Sequence, residues 1–168
     1  IEKVELIQSP RIREKNFACN YAVNKARGEF ILLLDNDCLI NEKGILGNLI
    51  RVYNLNKECG ILGLAFYNFG CTSSNGYGGF LNKITYITQN KKVANNKLEK
   101  FNNQLIAFPH GIAFFIKKAI WQKLRGYDDN LIFGGDDIDL GIKAWIFGYR
   151  NYIYSKSIQT HLGLPERQ

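Results

Sequence analysis

Phe30 to Leu34 is an unbroken apolar run, Phe-Ile-Leu-Leu-Leu, with no polar residue between its members. A strand buried on both faces reads this way, and such strands are typical of parallel sheets. Val4 to Ile7 is a shorter candidate strand with Pro10 at its exit, and Phe17 to Ala26 spaces Ala18, Tyr21, Ala22 and Lys25 as a helix does. Gly28 offers that helix a left-handed stop. The chain therefore opens as strand, helix, strand. With Asn41 as a cap, a second helix runs to about Asn56, with Leu46, Leu49, Ile50 and Tyr53 as its apolar stripe. Gly60 to Phe69 reads as the next strand.

The pattern then loosens. Gly70 to Phe80 is too rich in glycine for a regular element and lacks the Lys-Ser/Thr ending of a phosphate-cradling loop. Lys91 to Asn103 is polar and rich in Lys and Asn, which predicts an exposed excursion. Apolar residues return from Gln104 to Lys117, interrupted at Pro109-His110-Gly111, as two strands or one bent strand. A short helix over Lys117 to Leu124 follows. A fourth helix from Asp136 to Phe147 is expected to bury Ile138, Ile142, Trp145 and Ile146, and Gly148 precedes a last strand at Tyr149 to Tyr154. With no repeat and no linker, residues 1–168 read as a single mixed α/β domain in which 70–103 is the variable part.

Composition changes the picture in three places. Hydrophobic residues make up 46% and charged residues 22%, which suits a folded chain and excludes a disordered one. The net charge of +7 calls for an anionic partner, yet the basic residues are dispersed and no Arg-rich stripe carries interleaved aromatics, so nucleic acid is not expected. Cys19, Cys38, Cys59 and Cys71 contain no Cys-x-x-Cys pair, which points to buried, reduced thiols and a cytoplasmic setting. The chain starts at Ile1 and has no Met, so an upstream segment is expected.

The chemistry gathers at two places. Asp35-Asn36-Asp37 follows the buried strand directly, and ligands of open α/β sheets collect beyond the carboxyl ends of strands. A hard divalent cation takes one or two carboxylates and completes its shell with water and phosphate oxygens. The alternative for the pair alone is a solvated Asx turn. Asp136, Asp137 and Asp139 sit behind Gly134-Gly135 at the start of the later helix, where the helix dipole favours negative charge. One acid would suffice as a cap. A carboxylate among acidic neighbours is pushed toward the basicity of a general base.

The order of these motifs resembles the large family of inverting glycosyltransferases with the GT-A fold, which use nucleotide-diphospho-sugars. Asn20-Tyr21-Ala22 through Ala26-Arg27-Gly28-Glu29-Phe30-Ile31 to Leu34-Asp35-Asn36-Asp37 is similar to that family's N-x-G to A-x-G-E-Y-I to L-D-x-D stretch, with Ala22 in place of a frequent Gly. Gly111 with Phe115-Ile116-Lys117-Lys118, and Leu124-Arg125-Gly126-Tyr127-Asp128-Asp129, resemble two further segments. Asp136-Asp137-Ile138-Asp139-Leu140, running to Gly148-Tyr149-Arg150, resembles the E-D-x-D-L to G-Y-R segment, with Asp136 for Glu and Lys143 for Arg. His161-Leu162-Gly163 resembles the closing H-x-G. The family's usual opening half, which holds the nucleotide base, has no counterpart in these residues.

The resemblance implies a mixed, mostly parallel sheet flanked by helices and metal-assisted transfer with inversion. It implies that Asp35 and Asp37 hold Mn²⁺ or Mg²⁺ against the donor diphosphate, with His161 as a further ligand. It makes Asp137 the general base, and gives Asp136, Gly135, His110 and Gly111 to substrate binding. The implied partners are a nucleotide-diphospho-sugar donor and a glycan, polysaccharide or lipid-linked acceptor, with 70–103 on the acceptor side and a peripheral contact with an anionic membrane surface. Two rivals stand beside it. A haloacid-dehalogenase-type phosphatase also pairs Asp-x-Asp after a strand with a later Gly-Asp-Asp-x-x-Asp, but Leu39 and the 34 residues before Asp35 fit it poorly. The other is a transferase domain that folds and is inactive without its opening half.

Overall fold

The computed structural model describes residues 4–11, 14–71, 73–74, 78–81, 88–89, 93–132 and 134–162. Helix α1 (Lys15–Lys25) precedes strands β1 (Phe30–Leu34) and β2 (Cys38–Leu39), then α2 (Ile45–Leu55) and the long β3 (Cys59–Asn68). The two-residue strands β4 (Ser73–Ser74), β5 (Phe80–Leu81), β6 (Thr88–Gln89) and β7 (Val93–Ala94) lead to a 3₁₀ helix (Asn95–Phe101). Then come β8 (Leu105–Ile106), β9 (Ala113–Lys117), α3 (Lys118–Lys123), α4 (Asp136–Ile146) and β10 (Arg150–His161).

The main sheet runs β1-β9-β3-β10-β2, with β8 on β10. Among the described residues only β3 and β10 pair in parallel; β1 with β9, β3 with β9, and β10 with both β2 and β8 are antiparallel. The mostly parallel sheet expected from the sequence is thus corrected. An unbroken apolar run reports cover on a strand's faces and says nothing of its neighbour's direction. Here the strands buried over most of their length are β3 and β9, while β1 lies at the edge and is partly exposed. Phe30 still packs inward, stacked on Phe115 at 5.0 Å with Tyr53 edge-on to both rings.

Helix α1 has no apolar stripe and buries only Asn16 and Val23. Side-chain hydrogen bonds hold it instead. Asn16 Nδ2 donates to the carbonyls of Asp128 and Leu131, and Asn20 Nδ2 donates to Tyr127 O and Asp129 Oδ1. Asn20 Oδ1 also accepts from the Tyr127 amide, 3.1 Å away. Gly126 makes this approach possible: its φ is +62°, and a side chain there would run into Asn20 and Trp121. The start of α1 is in this way tied to the turn that leads into α4.

Other expectations shift by a few residues. Val4 to Ile7 is described and is not a strand. Helix α1 ends at Lys25, with extended backbone at Ala26, and Gly28 is not left-handed. Helix α2 begins only after Gly44, whose φ is +75°, so Asn41 lies too far upstream to cap it and instead donates its backbone amide to Gln159 and its Nδ2 to Thr160 on β10. The buried stripe of α2 is Ile45, Leu49, Val52 and Tyr53. Helix α4 buries Leu140, Gly141 and Ala144 and leaves Ile146 75% exposed, so its inward face is rotated from the expected one.

Of the variable part, 70–103, residues 72, 75–77, 82–87 and 90–92 lie outside the described residues, among them Lys91 and Lys92 of the polar excursion. Its later part is anchored. Leu98 is fully buried and packs with Ala65, Ile106 and Ile153, with Phe101 partly buried beside them. In a 3₁₀ helix residues three apart eclipse, so Leu98 and Phe101 share one face although the sequence shows no sustained apolar period.

Candidate functional site

Strand β10 is what assembles the first half of the site. After a register shift between Tyr154 and Gln159, its end pairs with β3 on one side (His161 opposite Asn68) and with β2 on the other (His161 opposite Cys38). The Leu162 amide donates to Asp37 O at 2.9 Å. His161 Nε2 consequently stands 3.3 Å from Asp37 Oδ2, and its Nδ1 lies 2.9 Å from Asn68 Oδ1. With Nδ1–H donating to Asn68, the Nε2 lone pair faces the carboxylate, the orientation a metal-ligating imidazole needs.

Asp35 is placed differently. Its amide donates to Ile112 O at 2.8 Å, prolonging the β1–β9 ladder, while its carboxylate points to Lys15, Oδ1 to Nζ 3.5 Å. Burial pushes the Asp35 carboxyl up from its ordinary value, and Asp37 adds to this while Lys15 and His161 pull it back. Cys38 is pushed up to about 11, first by burial and then by Asp35 and Asp37, so its thiol stays protonated beside the site.

The second half is built on the Gly134-Gly135 turn, whose φ values of +93° and +83° suit glycine and let α4 begin abruptly. The three acids of the first turn then diverge to three partners. Asp139 Oδ2 pairs with Lys143 at 2.6 Å along the helix. Asp137 accepts the Gly111 amide at Oδ2, 3.1 Å, and the Ile138 amide at Oδ1, 2.8 Å. Asp136 is 8% exposed, and its Oδ2 has no hydrogen bond but lies 3.7 Å from Lys15 Nζ. A Cβ added to Gly111 would stand 3.6 Å from both the Asp137 Cβ and Lys15 Nζ, so this backbone position lies directly beside both side chains.

The segment 110–112 therefore connects the two halves, through the Gly111 amide to Asp137 and through Ile112 O to Asp35. His110 is half-buried and edge-on to Phe66 at 5.4 Å, and the same Phe66 ring meets His161 at 5.7 Å. Gly135 shapes the turn, and all of its contribution is backbone. Two participants were not foreseen from sequence. Lys15 opens a helix with nothing to distinguish it from other surface lysines, and Asn68 ends an apolar strand; neither carries a local signal.

Among the described residues no three ligands of metal-binding type converge. Asp37 and His161 do converge, and one carboxylate with one imidazole suits Mn²⁺ or Mg²⁺ when phosphate and water supply the remaining positions. Two neighbouring ligands at about 2.1 Å from one cation stand about 3 Å apart, close to the separation seen. The residues fit such an ion, with Asp35 just outside the pair.

Residues 1–125 match the sequence profile of a family described as glycosyl transferase family 2. No curated protein matches the chain. Among solved structures, it is similar to GalNAc-T7 with UDP, GalNAc and Mn²⁺, with a TM-score of 0.68 and 17% identity over 94% of this chain and 32% of that one. The mannosyltransferase PcManGT from Pyrobaculum calidifontis, in complex with GDP-Man and Mn²⁺, gives 0.64 and 18% over 97% of this chain and 40% of that one. S. aureus TarS gives 0.53 and 15% over 89% and 24%. At these identities the likeness is one of fold, and the chain spans 24% to 40% of the length of these proteins.

Proposed function

The chain belongs to glycosyl transferase family 2 and has the GT-A fold, and from that premise we propose that it moves a sugar from a nucleotide-diphospho-sugar to an acceptor hydroxyl, with inversion and with metal assistance. The observation that carries this reading is that one short segment, residues 110–112, is bonded both to the Asp137 carboxylate and to Asp35, which opens the turn whose Asp37 stands beside His161. The Mn²⁺ and nucleotides in two structural neighbours support the donor and metal assignments.

In this reading Asp37 and His161 would hold the cation with Asp35 beside them, and Asn68 fixes the imidazole. A divalent cation held by these residues would supply positive charge against the negative charge that grows on the departing diphosphate. Asp137 accepts the proton of the acceptor hydroxyl as that oxygen attacks the anomeric carbon from the face opposite the leaving group. Inversion needs such a base and no covalent nucleophile. The two amides that Asp137 accepts orient it, and each oxygen keeps a lone pair for the proton. His110, Gly111, Gly135 and Asp136 line the acceptor side. We assign a glycan, polysaccharide or lipid-linked acceptor, with residues 70–103 near it, in the cytoplasm against an anionic membrane. The net charge of +7 supports anionic partners.

The test is turnover: the full chain, and a version extended upstream, are incubated with UDP- and GDP-sugars, Mn²⁺ and an acceptor panel. Release of nucleoside diphosphate with a product of inverted anomeric configuration by NMR is expected. Retention of configuration would overturn the mechanism, and phosphate release from simple phosphomonoesters without sugar transfer would favour a phosphatase.

A further inference from the structure

We propose that Lys15 is a positioning residue that ties the donor-side carboxylate Asp35 to the acceptor-side carboxylate Asp136. Among the described residues, the ion pairs of both acids run to this one ammonium, at 3.5 Å and 3.7 Å. The two acids come from different elements, the exit of β1 and the first turn of α4, and no backbone hydrogen bond joins them directly. Lys15 is held for the task. It is the first residue of α1, and its neighbour Asn16 is locked by two hydrogen bonds to the 128–131 turn that precedes Asp136.

The burial of Asp136 shows why a fixed cation is needed there. A carboxylate 8% exposed, with one oxygen lacking any hydrogen bond, is costly unless a charge compensates it. Lys15 supplies that charge without being sealed in. Its side chain is 48% exposed and borders a small cleft of about 50 Å³ lined also by Glu14, Asp129 and Gly134. The same ammonium stands beside Gly111, whose amide orients Asp137. A positive charge in that place acts on both sides at once. It holds Asp136 back from Asp137, and it opposes a second cation arriving near Asp35. The tie therefore sets how tightly the metal side binds in the absence of donor and keeps the acceptor side in place.

The inference rests on the transferase reading for the words donor and acceptor, but its test does not need sugar transfer. Mn²⁺ is titrated into the full chain without nucleotide, with Asp37→Ala as the blank, and thermal midpoints are recorded for each variant. Lys15→Met should bind Mn²⁺ about 3–10-fold more tightly, because one opposing charge within a Debye length is gone. Lys15→Arg should keep the wild-type affinity. Lys15→Met should also melt earlier, and adding Asp136→Asn to it should restore part of the midpoint, since the orphaned charge disappears. Equal or weaker Mn²⁺ binding by Lys15→Met, Lys15→Arg behaving as Lys15→Met, or strictly additive losses in the double variant would each overturn the proposal. Failure of sugar transfer with these results intact would count against the transferase reading alone.

Discussion

Asp137 and Asp136 are adjacent in sequence and opposite in situation. Asp137 has both oxygens on backbone amides and faces the Gly111 segment, whereas Asp136 is buried on Lys15. A proton acceptor must be reachable and oriented, and Asp137 is the better placed. Asp137→Asn keeps the shape and should lower turnover by about 10²–10⁴-fold, the span of a positioned general base, with Mn²⁺ and nucleoside diphosphate affinity nearly unchanged. Steady-state kinetics beside calorimetric titration check this; near-normal turnover in Asp137→Asn with a dead Asp136→Asn would move the base to its neighbour. Asn68 is the partner of His161 Nδ1, and such outer partners typically govern metal affinity by about 10–100-fold. Asn68→Ala should therefore weaken Mn²⁺ binding by about tenfold or more with little change in the melting midpoint. Unchanged Mn²⁺ affinity would show that the imidazole needs no such brace.

Elements differ in how they are held, and this decides which substitutions matter. Helix α1 relies on Asn16 and Asn20 rather than an apolar face, while the 3₁₀ helix over Asn95–Phe101 relies on one buried leucine. Leu98→Ala removes most of a fully buried side chain and should cost about 2–5 kcal/mol, read as a lower urea midpoint. A loss below about 0.5 kcal/mol, the range of ordinary surface changes, would mean that this element is the loose excursion its composition suggests. Helix α4 illustrates a third arrangement, in which Gly141 packs so closely on Phe108 that no side chain fits. That close approach sets the rotation of the helix and so the directions of Asp136, Asp137 and Asp139.

For the whole molecule, the sheet order places β3 and β9 centrally and β1 at an edge. A groove beside β1 is lined by Ile7, by Ala18, Ala22 and Val23 of α1, and by the strand itself. Edge strands of this kind have backbone groups without ladder partners on one side. Native-state hydrogen exchange should accordingly be slowest in β3 and β9 and faster in β1, although all three are apolar in sequence. Equal protection in β1 and β9 would mean that a further strand covers the edge. The site itself sits where three chain regions meet, since Lys15, the 35–37 turn and the start of α4 come together only through the long β10 and the 110–112 segment.

Local chemistry made several of these features legible in the sequence. The Asp35-Asn36-Asp37 turn after an apolar strand, the two glycines before Asp136, and the break at Pro109-His110-Gly111 all follow from what neighbouring residues permit, and the structure contains each of them. Family membership was legible for the same reason, because its motifs are short and local. Strand direction was not legible: an apolar run records burial, and antiparallel and parallel neighbours bury it alike. Nor were the partners that complete the site. His161 meets Asn68 across 93 residues, and Lys15 meets Asp136 through a helix anchored by hydrogen bonds spanning 112 and 115 residues. A lysine on a helix start or an asparagine at a strand end has no preference of its own for such a partner. Only the tertiary fold, by bringing distant backbone segments to within hydrogen-bonding distance, decides which charge each one meets.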